Sequence, residues 1–130
     1  MTKLNIINKN ELKDWAENIF KENSFNMINV SSKSNTFRRS LASGKIYVGR
    51  KVFELIKKKQ MPKGDPITLA EVSALLGVKK TSELIPLCHP LPIEHTATKI
   101  IMHEKDNSIE VFCVVSTYAK TGVEMEAIMG

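Results

Sequence analysis

Cysteine occurs only twice in this 130-residue chain, at Cys88 and Cys113, and aromatic residues make up 6% of it. Two cysteines cannot form a disulfide framework. With no secretion signal in view, they read as free thiols of a reducing compartment. The scarcity of aromatics leaves no interleaved pattern on which nucleic-acid bases could stack. No apolar run approaches the ~20 residues of a membrane-spanning helix. The opening MTKLNIINKNELKDW has no apolar stretch of the kind a secretory leader needs. C-x-x-C and H-x-x-x-H are both missing, so His89, His95, His103, Cys88 and Cys113 match no zinc spacing, and no metal is expected. There is no internal repeat, low-complexity tract or linker, and one domain is the natural reading at this length.

The charge that is present is unevenly placed. Residues 1–60 carry 13 Lys/Arg and 5 Asp/Glu, a net of +8, while residues 61–130 have a net of −3. A basic half suits phosphate ligands or nucleic acid. It equally suits two halves that complement each other.

Residues 10–22 (NELKDWAENIFKE) predict an amphipathic helix, with Asn10 as N-cap and Leu12, Trp15, Ala16, Ile19 and Phe20 on one stripe. MINV (27–30) reads as a short extended piece. SSKSNTFRRSLASGK (31–45) reads as a polar, basic loop, and IYVGR (46–50) has strand character. A short helix is expected around 51–59, with Val52, Leu55 and Ile56 inward. MPKGDP (61–66) is a loop. After it, Thr68 and Glu71 form a capping-box pattern, with Asp65-Pro66 as the rival helix start. Leu69, Val72, Leu75 and Leu76 give this helix an apolar face, and it is expected to end near Gly77. Residues 96–103 and 109–117 predict two strands joined by the polar turn EKDNS. TGVEMEAIMG predicts a helix start, with Thr121 as N-cap, Glu124 as its capping-box partner, and Val123 and Ala127 toward the core. The sequence stops soon afterwards, which suggests C-terminal truncation.

The densest constellation is SELIPLCHPLPIEH (82–95), where Pro86, Pro90 and Pro92 forbid a continuous helix or a central strand. His89 is either held by backbone groups in a tight turn or a proton shuttle. Lys63 in PKGD is an ordinary solvated lysine unless its loop closes over a site. Arg38-Arg39, with Lys33 and Lys45 nearby, could grip phosphate, or form a solvated basic loop. Glu124 and Glu126 point about 200° apart if both lie well inside a helix, so only one could then face a given pocket. Glu124 has a capping role to explain it and Glu126 has none, which makes Glu126 the better catalytic candidate.

Taken together, LIPLCHPL (84–91), KKT (79–81), KGD (63–65) and KTGVEMEA (120–127) resemble the cyclic pyranopterin monophosphate synthase family of molybdenum cofactor biosynthesis. NVSSK (29–33) with Arg38 and ASGK (42–45) resembles the segment that opens the family's domain, Asn29 standing where the family usually has Asp. The resemblance covers residues 26–130 and leaves 1–25 as an N-terminal helical extension. It implies an α+β, ferredoxin-like fold, with helices packed on an antiparallel sheet. It also implies a cytoplasmic lyase converting 3′,8-cyclo-7,8-dihydroguanosine 5′-triphosphate to cyclic pyranopterin monophosphate and pyrophosphate. That chemistry needs no redox change, hence no flavin, metal or other cofactor. The implied assembly is a homohexamer, a trimer of dimers, with active sites between subunits. Carried over by motif, Lys63, His89, Glu124 and Glu126 are the catalytic candidates. Leu87, Cys88, His89, Met125, Glu126, Arg38 and Lys120 would contact substrate. A further catalytic aspartate is implied on a helix after GVEMEA, beyond the last residue here. The alternative is therefore an inactive member acting only as an assembly subunit. A basic nucleic-acid-binding module is the remaining possibility.

Overall fold

The computed structural model describes residues 25–130; the helix expected over 10–22 lies outside them. The elements run β1 (Thr36–Tyr47), α1 (Gly49–Lys57), α2 (Pro66–Leu84), β2 (His95–His103), β3 (Ser108–Ala119) and α3 (Glu124–Met129). The strands form one antiparallel sheet in the order β1-β3-β2. Two helices separate β1 from the β2–β3 hairpin, giving the succession β-α-α-β-β-α, and the expected α+β, ferredoxin-like arrangement of helices on an antiparallel sheet holds.

The β2–β3 hairpin follows directly from composition. TATKIIMH and IEVFCVVST are rich in β-branched residues, and the turn between them places Asn107 at φ 51°, a conformation Asn tolerates. Register runs from His95↔Ser116 to His103↔Ser108. On β3 it brings Cys113 and Val115 to the face that the helices cover. There Val78, Val123 and Ala127 complete the core, with Ala42, Leu91 and Ile93 packed against it.

β1 is longer than expected. It pairs with β3 from Thr36↔Ala119 to Tyr47↔Ser108, so most of the expected basic loop is strand. Arg38, Ser40 and Ala42 turn partly inward while Phe37, Arg39 and Leu41 stay exposed. The inward residues Arg38, Ser40 and Ala42 share no apolar character that would mark this alternation. Residues 27–30 form no regular strand.

In α1, Phe53 and Ile56 are buried, whereas Val52 is exposed. The helix begins two residues earlier than expected, and its buried face turns accordingly.

In α2 the start is set by Asp65 rather than by the Thr68 capping box. The Asp65 carboxylate accepts from the Ile67 N–H at 3.0 Å and from the Thr68 hydroxyl at 2.9 Å, with Pro66 in the first turn. Gly77 does not end the helix. It lies mid-helix, where a β-carbon would overlap the Met129 carbonyl of α3; glycine is what allows the two helices to approach this closely. The expected inward face is also reversed. Ala74, Val78 and Thr81 are buried, while Leu69, Val72, Leu75 and Leu76 are exposed. The helix is apolar nearly all round its first turns, so periodicity could not distinguish its two faces.

α3 begins at Glu124, with Val123 at the cap position and no side-chain cap from Thr121. Val123 and Ala127 are buried as expected.

Candidate active site

The proline-rich segment leaves α2 at Ile85, whose N–H still bonds the Thr81 carbonyl at 2.8 Å. A turn closes at once, the Cys88 N–H donating to the Ile85 carbonyl at 3.0 Å. The far end is fastened to β3: the Thr117 hydroxyl donates to the Pro92 carbonyl, and the Glu94 N–H to the Ser116 carbonyl at 3.2 Å. Leu91 and Ile93 anchor the same stretch on the core. A chain with three fixed proline φ angles and these attachments presents Leu87, Cys88 and His89 in one geometry.

Facing them is the turn from β3 into α3. A cleft of about 190 Å³ opens between the two segments, and Ile28, Val30 and Lys33 form its third wall. Glu124 and Glu126 both line it. They can do so because Glu124 occupies the first helical position, where its side chain folds back over Gly122; a β-carbon there would overlap the Glu124 carboxylate. Side chains two residues apart diverge fully only when both lie well inside a helix.

Glu126 is buried, at 4% exposure. Burial raises its carboxyl above the ordinary value of 4.5, and the charge of Glu124 adds to the effect. Cys88 is pushed up in turn, first by burial and then by the charge of Glu126. It is a neutral thiol at neutral pH, a lining group rather than a nucleophile. The His89 Nε2 lies 2.8 Å from the Ile28 carbonyl. A carbonyl only accepts, so Nε2 carries the proton, and Nδ1 of the neutral ring is left to take one up. The Lys120 ammonium donates to the Ser31 carbonyl at 3.0 Å.

Leu87, Cys88, His89, Met125, Glu124 and Glu126 thus meet in one cleft, with Lys120 fastening its third wall. Arg38, on β1, stands opposite Thr117 of β3, outside the lining, and its Nε is buried without a partner among the described residues. Lys63 is not brought in. It precedes α2, whose 19 residues span ~28 Å at about 1.5 Å per residue, and the cleft lies past the other end. Ile28, Val30, Leu91 and Thr121 were not anticipated as lining. Lys33 was visible only as one basic residue among several. A larger apolar cleft, about 380 Å³, lies between β1, β3 and α3 and holds none of the candidates. Its ionisable groups are Lys45 and Cys113, which offer no acid–base pair.

The fold and the cleft define an α+β protein with a histidine, a buried protonatable carboxyl and a second carboxylate around one small site, the equipment of proton-transfer chemistry. The MoaC family model matches residues 27–130, and the chain belongs to that family. It is 43% identical over 104 residues to the cyclic pyranopterin monophosphate synthase of Campylobacter jejuni, a match covering 80% of this chain and 66% of that protein. It is 44% identical over 109 residues to the probable cyclic pyranopterin monophosphate synthase of Thermococcus kodakarensis, covering 84% and 69%. With the mitochondrial enzyme of that name from Arabidopsis thaliana it shares 41% over 102 residues, 78% of this chain and 38% of that protein. The chain therefore spans about two thirds of the length of the microbial relatives.

Proposed function

We propose that residues 26–130 form the synthase domain that converts 3′,8-cyclo-7,8-dihydroguanosine 5′-triphosphate to cyclic pyranopterin monophosphate and pyrophosphate. The observation that carries this is the convergence of Leu87–His89 and Glu124–Glu126 on one cleft, in a chain of the family whose relatives bear the synthase name. Opening the purine-derived ring and closing the pterin ring moves several protons. Burial favours the protonated form of Glu126, which is placed to donate, and His89 Nδ1 is placed to accept. The phosphate step forms a P–O bond from a ribose-derived hydroxyl to the α-phosphorus and breaks the bond to the departing pyrophosphate. Lys120, and Lys63 from a second copy, supply positive charge for the triphosphate and the leaving group.

The distance of Lys63 from the cleft favours a site shared between copies. We place Lys63 in the cleft of a second chain, and the exposed apolar face of α2 is a surface on which copies can meet. A hexamer arranged as a trimer of dimers, in the cytoplasm, completes this reading.

Supplying the cyclic nucleotide triphosphate tests it, with the pterin product followed by chromatography and pyrophosphate by a coupled assay. The 130-residue chain is assayed beside a version continued with the last third of the Campylobacter relative. Product from either supports the assignment; neither product from either chain sinks it.

A further inference from the structure

The third wall of the cleft is unlike the other two. The proline-rich loop is fixed to the core and to β3, and α3 is anchored by buried Val123 and Ala127. The strap from Ile28 to Lys33 has no regular structure apart from a turn. Ile28 is 72% exposed and Lys33 is exposed. Among the described residues the strap's own bonds are local: the Ser31 N–H to the Asn29 side-chain oxygen at 2.9 Å, and the Lys33 N–H to the Val30 carbonyl at 3.1 Å. Among the described residues, two bonds tie it across the cleft, and both donors belong to the candidate site. His89 Nε2 donates to the Ile28 carbonyl, and the Lys120 ammonium to the Ser31 carbonyl.

We infer that the strap is a lid made of a stand-in ligand: the Ile28 and Ser31 carbonyls hold the places of two acceptor oxygens, and phosphate oxygens of an anionic ligand displace them from His89 and Lys120. Three observations carry this. Both captive groups are hydrogen-bond donors, and an anionic oxygen is a stronger acceptor than a neutral carbonyl. The cleft's volume of about 190 Å³ is below the roughly 300–1,000 Å³ of sites that enclose small organic ligands, so one wall must move for a nucleotide to enter. Lys33, on the strap itself, also lines the cleft and adds a further cation on the side toward which the anionic end of a ligand is drawn. The ligand half of this inference rests on the phosphate-binding reading above; the latch half does not.

Amide hydrogen exchange read by mass spectrometry on the full 130-residue chain tests both halves. In the free protein, His89→Ala and Lys120→Ala should each speed exchange in peptides over 28–33, His89→Ala by about 2- to 12-fold, the range set by losing one neutral hydrogen bond. His89→Gln, which keeps a donor, should recover part of the protection. Circular dichroism confirms that each variant is folded. Unchanged strap exchange in both alanine variants overturns the latch. With inorganic triphosphate or GTP added to the unsubstituted chain, exchange should rise over 28–33 while peptides over 121–126 become protected. Protection of both regions together would mean that the ligand closes the strap, and would overturn displacement. No protection at 121–126 with either probe removes the ligand half and counts against the proposed function, while the variants still decide the latch.

Discussion

At the scale of single residues, Glu126 carries the most consequence. Its carboxyl ordinarily titrates at 4.5, and burial raises it in the folded protein. The folded state therefore holds this proton more tightly than the unfolded chain. Well below 4.5 both states are protonated and the group costs nothing. As pH rises the unfolded chain ionises first, and stability is lost until the folded value is passed. Glu126→Gln should therefore melt at a higher temperature than the unsubstituted chain at pH 7, with the advantage fading toward acid pH. A difference independent of pH would refute the assignment. The same carboxylate disfavours ionisation of Cys88, so Glu126→Gln should also quicken site-resolved alkylation of Cys88 by iodoacetamide. What the sequence made legible here is instructive. Leu87–His89 and Glu124–Glu126 sit in motifs long enough to be distinctive, and the structure brings them together. Ile28 and Val30 could not be read in advance, because apolar residues in a short irregular segment carry no period to orient them.

At the scale of elements, legibility followed the strength of the local pattern. The β2–β3 hairpin was readable from β-branched strands around a polar turn. β1 was not, because its inward residues Arg38, Ser40 and Ala42 do not alternate in polarity with Arg39 and Ser43. The covered face of α2 is not legible from periodicity, because both its faces are apolar and tertiary neighbours decide which is covered. The close approach of α2 and α3 gives a direct test. Gly77→Ala would drive a methyl group into the Met129 carbonyl. The loss should be about 1–3 kcal/mol, typical of overpacking, despite alanine's better helix propensity. Urea denaturation measures it; a stabilised variant would show that the helices are not in contact.

At the scale of the whole molecule, the exposed row Leu69, Val72 and Leu76 and the remote Lys63 belong to one expectation. If a second copy delivers Lys63, then Lys63→Ala and His89→Ala chains, each inactive alone in a form that turns over substrate, should regain activity when unfolded and refolded together. Some mixed pairs would then hold one intact cleft. Replacing Leu69 and Leu76 with lysine should shift the chain to smaller species in sedimentation. Mixed chains that stay inert would place Lys63 outside the chemistry.

Strand order also governs how the molecule can be made. β3 is the middle strand, yet it comes last of the three, and Thr36 pairs with Ala119. During synthesis β1 emerges early and waits, an edge without a neighbour, while α1, α2 and the hairpin are still being added. The hairpin can close locally as soon as Ser108 reaches His103, but β1 has nowhere to dock until β3 clears the ribosome. For that interval its amides and carbonyls are open to any other extended chain nearby. The arginines at 38 and 39 and the lysine at 45 give the waiting strand like charges, which keep nascent copies apart until the sheet can form.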